Sequence, residues 1–267
     1  MKLFKQIPIT TRIIIAVCCA ICLAVNLMPF SGNLTEKAIL FGAYYKAMII
    51  AGEYWRILTA GLVHVSIWHL LMNMYSLMYI GIVLERILGW KNYLMTLIIS
   101  TVMGSLFLFV LSGNTVAVGL SGGLYGLMAC EIYILYRKGI MKNQAVQRAV
   151  TQTLIMNLMI NFMPTVAWQA HLGGAVGGLL CASIITASNR TQKITGYTAL
   201  PILCVILGVM CMQKTTIRPS ETYAGTDAKI LKYEYDHGLS NHALNIARNL
   251  DELYDMNYLE AYLKQEN

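Results

Sequence analysis

Apolar residues dominate the chain in long uninterrupted runs. Seven runs, each near the length of about 20 residues that a membrane-spanning helix needs, lie at 13–30, 66–84, 93–111, 120–136, 149–165, 167–187 and 194–212. The pattern therefore predicts an all-α polytopic membrane protein with seven transmembrane helices. The fifth helix is the weakest, because Gln152, Asn157 and Asn161 interrupt it.

The composition supports a membrane location. The chain of 267 residues is 57% hydrophobic and 12% charged, whereas a soluble domain usually carries about 25% charged residues. All 7 cysteines lie in apolar runs without zinc-like spacing, so we interpret them as small core residues. We interpret the net charge of +7 as membrane-anchoring charge and not as a nucleic-acid patch. No metal and no cofactor is expected.

Basic residues predict the orientation, because Lys and Arg concentrate in cytoplasmic loops. They cluster at the N-terminus and after the second, fourth and sixth helices: Lys2, Lys5, Arg12, Arg86, Lys91, Arg137, Lys138, Lys142, Arg148, Arg190 and Lys193. These segments alternate along the chain and therefore share one face, which we expect to be cytoplasmic. An odd number of helices then places the C-terminal tail outside.

Two segments lie outside the apolar runs. Residues 31–65 are rich in aromatic residues, which predicts a segment lying in the membrane interface. These aromatic residues are Phe41, Tyr44, Tyr45, Tyr54 and Trp55. The chain is divided into a membrane domain, 1–213, and a polar tail, 214–267, whose apolar spacing over about 240–265 predicts a helical hairpin. The tail is short for a core of its own, so it is expected to dock on the membrane domain or a partner. His242 is expected to be a solvated surface residue.

Polar residues fall at one depth in three different helices. The second, fourth and sixth helices start at the outer face, and His69, Ser121 and His171 lie within about five residues of those starts. His69 and Asn73 are spaced by four and share a helix face, as do Ser121 and Tyr125. Polar groups inside hydrocarbon are costly and usually functional. We therefore expect them to form one site in the outer leaflet.

Five short motifs occur in order across about residues 50–185. They are Trp55-Arg56, His69 with Asn73, Gly81 with Glu85, Gly119-Leu120-Ser121-Gly122, and Ala170-His171 followed by Gly174 and Gly178. Together they resemble the motifs of the rhomboid intramembrane serine proteases. The resemblance implies a six-helix rhomboid-like bundle with one extra C-terminal transmembrane helix. It also implies a bacterial plasma membrane as location and transmembrane proteins in the lipid bilayer as substrates.

The resemblance implies chemical roles for four residues. Ser121 would be the nucleophile, and His171 would be its general base and later general acid. No aspartate precedes Asp227, so the two would act as a dyad. His69, Asn73 and the backbone N–H of Ser121 would form the oxyanion hole.

The resemblance also implies supporting residues. Tyr125 would pack against the ring of His171, and His64 would be structural or would organise water. Trp55 and Arg56 would shape the first loop. The remaining supporting residues are the motif glycines Gly119, Gly122, Gly174 and Gly178.

Other interpretations stay open at this point. Ser121 could be a helix N-cap, His171 a hydrogen-bonded interhelical histidine, and His69 with Asn73 a polar contact between helices. The chain could also be an inactive relative that binds transmembrane segments. A transporter is disfavoured, because the polar groups converge at one depth and do not line a path across the membrane.

Overall fold

The computed structural model describes residues 6–265, so the predicted anchoring residues Lys2 and Lys5 lie outside the described residues, as does the side chain of Lys193. The long helices are α1 (Ile9–Leu27), α5 (Ile67–Leu111), α6 (Ser121–Arg137), α7 (Gln144–Asn161), α8 (Trp168–Ile185) and α9 (Arg190–Gln213). The first loop contains α2 (Leu34–Leu40), β1 (Tyr44–Tyr45), α3 (Lys46–Ile50) and α4 (Arg56–Thr59). Strand β2 (Val116–Ala117) precedes α6, and the tail contains α10 (Ala224–Glu234), α11 (Ser240–Tyr254) and α12 (Leu259–Leu263).

The helices confirm the prediction of an all-α polytopic membrane fold. By length and composition, α1, α5, α8 and α9 are long and apolar enough to cross a membrane. Helix α5 has 45 residues, and a straight helix of that length would measure about 68 Å, twice the thickness of the hydrocarbon core. Its two arms are separate helices that meet at Gly89, whose φ of 74° and ψ of 158° are not helical. With α6 and α7, helical segments occupy the positions of all seven predicted runs.

Gly89 allows the bend in α5. Its φ of 74° lies in a region that residues with a Cβ rarely adopt. Near this bend, Glu85 accepts hydrogen bonds from the backbone N and the hydroxyl of Thr11, at 2.9 and 2.7 Å. A Cβ at Gly81 would meet the Thr11 side chain. Gly81 and Glu85 therefore hold the start of α1 against the first arm of α5.

Glycines bring α6 and α8 into close contact at the centre of the bundle. A Cβ added to Gly174 would lie 2.6 Å from the carbonyl carbon of Gly122, and one added to Gly178 would lie 2.6 Å from the Cα of Gly126. Ordinary contacts between carbon atoms begin at about 3.5 Å. The two helix backbones therefore touch along faces that only glycine can line.

The first loop is folded against the bundle. Strands β1 and β2 pair antiparallel, with Tyr44 opposite Ala117 and Tyr45 opposite Val116. Both tyrosines are buried. They fill the space between the loop, the bundle and the tail, and the position of this segment in the membrane interface stays a prediction.

The tail docks on the first loop, and the two segments share one apolar cluster. Apolar side chains of both segments form one cluster: Ile39, Tyr45, Ala47, Met48, Ile230, Leu231, Ile246 and Leu250. Within it, Asp227 accepts hydrogen bonds from the hydroxyls of Tyr45 and Tyr254, at 2.8 and 2.9 Å. The α-helical structure of the tail begins at Ala224, earlier than the predicted hairpin over 240–265.

His242 is not the solvated surface residue that the sequence suggested. Its Nε2 lies 2.7 Å from Oε1 of Glu53, a buried carboxylate whose other oxygen pairs with Arg56. Within the described part of the chain, Glu53, Glu234 and His242 place possible metal-ligand atoms within 4.8 Å of one another. Through His242 on one oxygen and Arg56 on the other, Glu53 connects the tail to the first loop.

Candidate active site

Ser121 and His171 meet across the contact between α6 and α8. Ser121 is the first residue of α6, and His171 lies in the first turn of α8. The Ser121 Oγ lies 2.8 Å from the His171 Nε2, which is hydrogen-bonding distance. The N-cap position of α6 is occupied by Leu120, so Ser121 is the first residue inside the helix. The geometry therefore favours a nucleophile–base pair over the helix N-cap.

Glycines from two helices set the position of the histidine. The carbonyl oxygen of Ala170 would lie 3.2 Å from a Cβ on Gly122 and 2.7 Å from a Cβ on Gly104. The backbone just before His171 therefore rests against α6 on one side and against the second arm of α5 on the other. A larger residue at either glycine would push the histidine away from Ser121.

His69 lies against the turn that precedes Ser121. Gly119 has a φ of 110°, and a Cβ there would lie 2.7 Å from the His69 Nε2. Glycine is therefore required at 119 by both its backbone conformation and its close approach to the ring. Asn73 is buried, and its Nδ2 donates to the carbonyl of His69 at 3.0 Å. His64 is fully buried, with its ring centroid 5.2 Å from that of His69.

Tyr125 and Asn161 surround the imidazole ring. The rings of Tyr125 and His171 are stacked, with centroids 4.0 Å apart and an interplanar angle of 10°. The Asn161 Oδ1 lies 2.6 Å from the His171 Nδ1, and the Asn161 Nδ2 lies 2.9 Å from the Tyr125 hydroxyl. Sequence analysis missed Asn161 as a site residue. The sequence feature that could have indicated it is its amide side chain near the end of the fifth apolar run.

Trp55 and Arg56 belong to the first loop. The Arg56 guanidinium is buried and donates to the carbonyls of Ile39 and Ala43, at 2.6 and 3.0 Å. Trp55 is half exposed and packs against His242, with ring centroids 5.7 Å apart. These contacts link parts of the loop and the tail.

Two cavities reach the serine–histidine pair. The smaller one, of about 40 Å³, can hold a water molecule. Its lining includes Tyr44, Gly61, Ser105, Ser121 and Ala170. The larger one, of about 740 Å³, lies between α7 and α8, and its volume is typical of ligand sites, which measure about 300–1,000 Å³. Its lining includes Tyr125, Leu158, Asn161, Phe162, Trp168 and His171.

The fold and the site define a polytopic helical membrane protein with a serine–histidine pair in its bundle. The model of the rhomboid domain matches residues 51–188 of the 267 in the chain. The chain therefore belongs to the rhomboid family.

Similar proteins include named proteases and one inactive member. The rhomboid protease GluP of Bacillus subtilis (strain 168) is 30% identical over 152 residues, 57% of this chain and 30% of GluP. The putative rhomboid protease YdcA of the same organism is 30% identical over 150 residues, 55% of this chain and 75% of YdcA. The inactive RHOMBOID-like protein 8 of Arabidopsis thaliana is 28% identical over 137 residues, 51% of this chain and 39% of that protein. The matches therefore include both proteases and an inactive member of the family.

Proposed function

We propose that this rhomboid protein is an intramembrane serine endopeptidase that hydrolyses peptide bonds in or near transmembrane segments of membrane proteins. The observation that carries the proposal is the 2.8 Å hydrogen bond between Ser121 and His171 within a bundle of apolar helices. A serine hydroxyl is a weak nucleophile until a neighbouring base accepts its proton. An intact pair also favours a protease over a relative that only binds its substrate.

The reaction proceeds in two stages that use the same two side chains. The His171 Nε2 accepts the proton of Ser121 as the Oγ attacks the scissile carbonyl, and the tetrahedral intermediate forms. His171 then donates this proton to the leaving amine, and the acyl-enzyme remains. Water gives a proton to the same nitrogen, attacks the ester and forms a second tetrahedral intermediate. The proton returns to Ser121 as the new carboxylic acid is released, and this acid ionises in water.

The negative charge of the tetrahedral intermediates forms beside the start of α6. The first N–H groups of a helix lack partners within the helix and favour an anion. We assign the oxyanion hole to the backbone N–H of Ser121 with the side chains of His69 and Asn73. The close approach of His69 to Gly119 supports this assignment, and the Asn73 amide has a second hydrogen besides the one bonded to the His69 carbonyl.

The large cavity between α7 and α8 supports entry of the substrate from the membrane. Its apolar lining reaches His171 and Tyr125, and α7 has no buried residue. A substrate helix must unwind locally, because helical carbonyls are already hydrogen-bonded. We therefore propose single-span proteins with a small residue before the cut and helix-weakening residues after it.

The position of the tail supports the proposed orientation. The tail packs on the first loop, and β1 of that loop pairs with β2, which immediately precedes α6. The tail therefore lies on the same side of the bundle as Ser121. We propose that this side is the outer face of a bacterial plasma membrane, with the N-terminus in the cytoplasm.

Cleavage in proteoliposomes tests the proposed function. The purified protein and a single-span substrate with a small residue at the cut should give two products. Ser121→Ala should give none, and Ser183→Ala should retain wild-type activity, because that hydroxyl bonds only to the carbonyl of Leu180 in its own helix. Cleavage by Ser121→Ala would contradict the proposal. Substrate binding by the wild type without turnover would favour a binding protein.

A further inference from the structure

The amide of Asn161 has a defined orientation at the end of α7. Its Nδ2 lies 2.9 Å from the carbonyl of Asn157 and 2.9 Å from the Tyr125 hydroxyl. A carbonyl oxygen only accepts hydrogen bonds, so the NH₂ side of the amide must face it. The Oδ1 therefore faces the other way, toward the His171 Nδ1 at 2.6 Å.

This orientation determines which nitrogen of His171 carries the proton. The Asn161 Oδ1 can only accept, so the His171 Nδ1 must donate. In the neutral ring the Nε2 then has a free lone pair, and it lies 2.8 Å from the Ser121 Oγ. That is the tautomer a general base needs in order to accept the serine proton.

The contacts form one closed network. The Tyr125 hydroxyl accepts from Asn161 and donates to the Asn157 carbonyl at 3.0 Å, while its ring stacks on the face of the imidazole. The histidine is thus held on its face by Tyr125 and at its edge by Asn161. In such networks each bond supports the others, because every donor has an acceptor.

We propose that Asn161 is a positioning residue, which holds His171 in the tautomer and ring orientation that accept the proton of Ser121. The inference rests on the proposed protease function. It makes α7 part of the catalytic apparatus, although this helix has no buried residue. Movement of α7 away from α8 would remove the acceptor from Nδ1 and allow the ring to turn.

Two substitutions at Asn161 distinguish a positioning role of this residue from a merely structural role. Asn161→Leu keeps a similar volume and removes the acceptor, so kcat should fall by about 10- to 100-fold with KM nearly unchanged. In a serine protease, a charged partner in the same position raises kcat by about 10⁴-fold, and a neutral amide should raise kcat by less. Asn161→Asp keeps an acceptor and adds a negative charge that stabilises the imidazolium. The acid limb of the kcat/KM profile should therefore move to higher pH.

A matched control lies on the same helix. Thr153→Val removes a hydroxyl that bonds only to the carbonyl of Ala149, at 2.9 Å in the same helix. This variant should keep the wild-type kcat and the wild-type pH profile. A wild-type kcat and pH profile in both Asn161 variants would overturn the inference and leave the proposed function standing.

NMR of ¹⁵N-labelled histidine tests the tautomer without any turnover. The protein has 5 histidines, and His171→Gln identifies the signal of interest. The wild type should show a protonated Nδ1 and an unprotonated Nε2, and Asn161→Leu should show a mixture of both tautomers. Protonation at Nε2 in the wild type would overturn the inference. If the wild type failed to cleave any substrate, the proposed function would fail, and this spectrum would still decide the role of Asn161.

Discussion

Replacing Gly174 with alanine should separate the serine from the histidine without altering either residue. Gly174 follows His171 by about one turn of α8 and faces Gly122, the residue after Ser121. The added Cβ would lie 2.6 Å from the carbonyl carbon of Gly122, and the carbonyl oxygen is closer still. These atoms belong to the backbone of a packed helix, so no side chain can rotate away to make room.

The magnitude follows from this overlap. Carbon atoms come into contact at about 3.5 Å, so α6 and α8 must separate by about 1 Å. The 2.8 Å bond between Ser121 and His171 would then exceed the limit of about 3.2 Å for direct proton transfer. A displacement of about 1 Å can reduce a rate by about 10²-fold, and an overpacked core is less stable by about 1–3 kcal/mol. We expect kcat/KM to fall by about 100-fold in a protein that still folds.

The assay is cleavage of the single-span substrate in proteoliposomes, with thermal unfolding measured in parallel. Gly208→Ala is the matched control in α9, because a Cβ there meets no atom within 4 Å. Alanine is favoured over glycine in a helix by about 1 kcal/mol, so this control should cleave normally and be no less stable. Wild-type kcat/KM in Gly174→Ala would show that the glycine contact does not set the distance between the two side chains.

Other substitutions test the ring contact and the docking of the tail. Tyr125→Phe keeps the stacked ring and removes the hydroxyl, so cleavage should fall severalfold, whereas Tyr125→Leu should lose more in the same assay. Burial raises the pKa of Asp227 from 3.8 to about 6, so docking of the tail should be strongest below about pH 4 and weaken as pH rises through 6. The shift corresponds to about 3 kcal/mol, and the pH dependence of limited proteolysis of the tail should be weaker in Asp227→Asn, where the raised pKa of Glu234, about 7, remains.

Apolar run length predicted the helices, because the thickness of the bilayer fixes how long a spanning segment must be. The same signal could not show that the second and third helices meet directly at Gly89. Gly89 lies in the basic connection between those runs, and its positive φ cannot be predicted from hydropathy. The two-residue strands around Tyr44 and Val116 are too short to show any periodicity.

The docking of the tail depends on contacts between residues far apart in the chain. Tyr45 and Asp227 are separated by 182 positions, and Glu53 and His242 by 189. Local patterns describe which face of a helix is apolar, but they do not identify what covers it. For this reason the sequence predicts a solvated His242, although its side chain reaches a buried carboxylate.

The residues of the candidate site that belong to sequence motifs could be predicted from the sequence. Equal depth and helical spacing brought Ser121, His171 and Tyr125 together. Asn161 was not predicted as a site residue, because helical spacing relates only residues within one helix. Asn161 and His171 lie on two helices, α7 and α8, that are joined by a loop. Its hydrogen bond to His171 depends on how that loop places the end of α7.

Labelling with a fluorophosphonate, followed by peptide mapping, tests most directly whether Ser121 is an activated nucleophile. The purified protein in lipid should be labelled on Ser121. The label should be lost in Ser121→Ala and in His171→Ala, and it should remain in Ser183→Ala. A folded wild-type protein in lipid that takes no label, or that carries the label on another serine, would contradict the proposed chemistry.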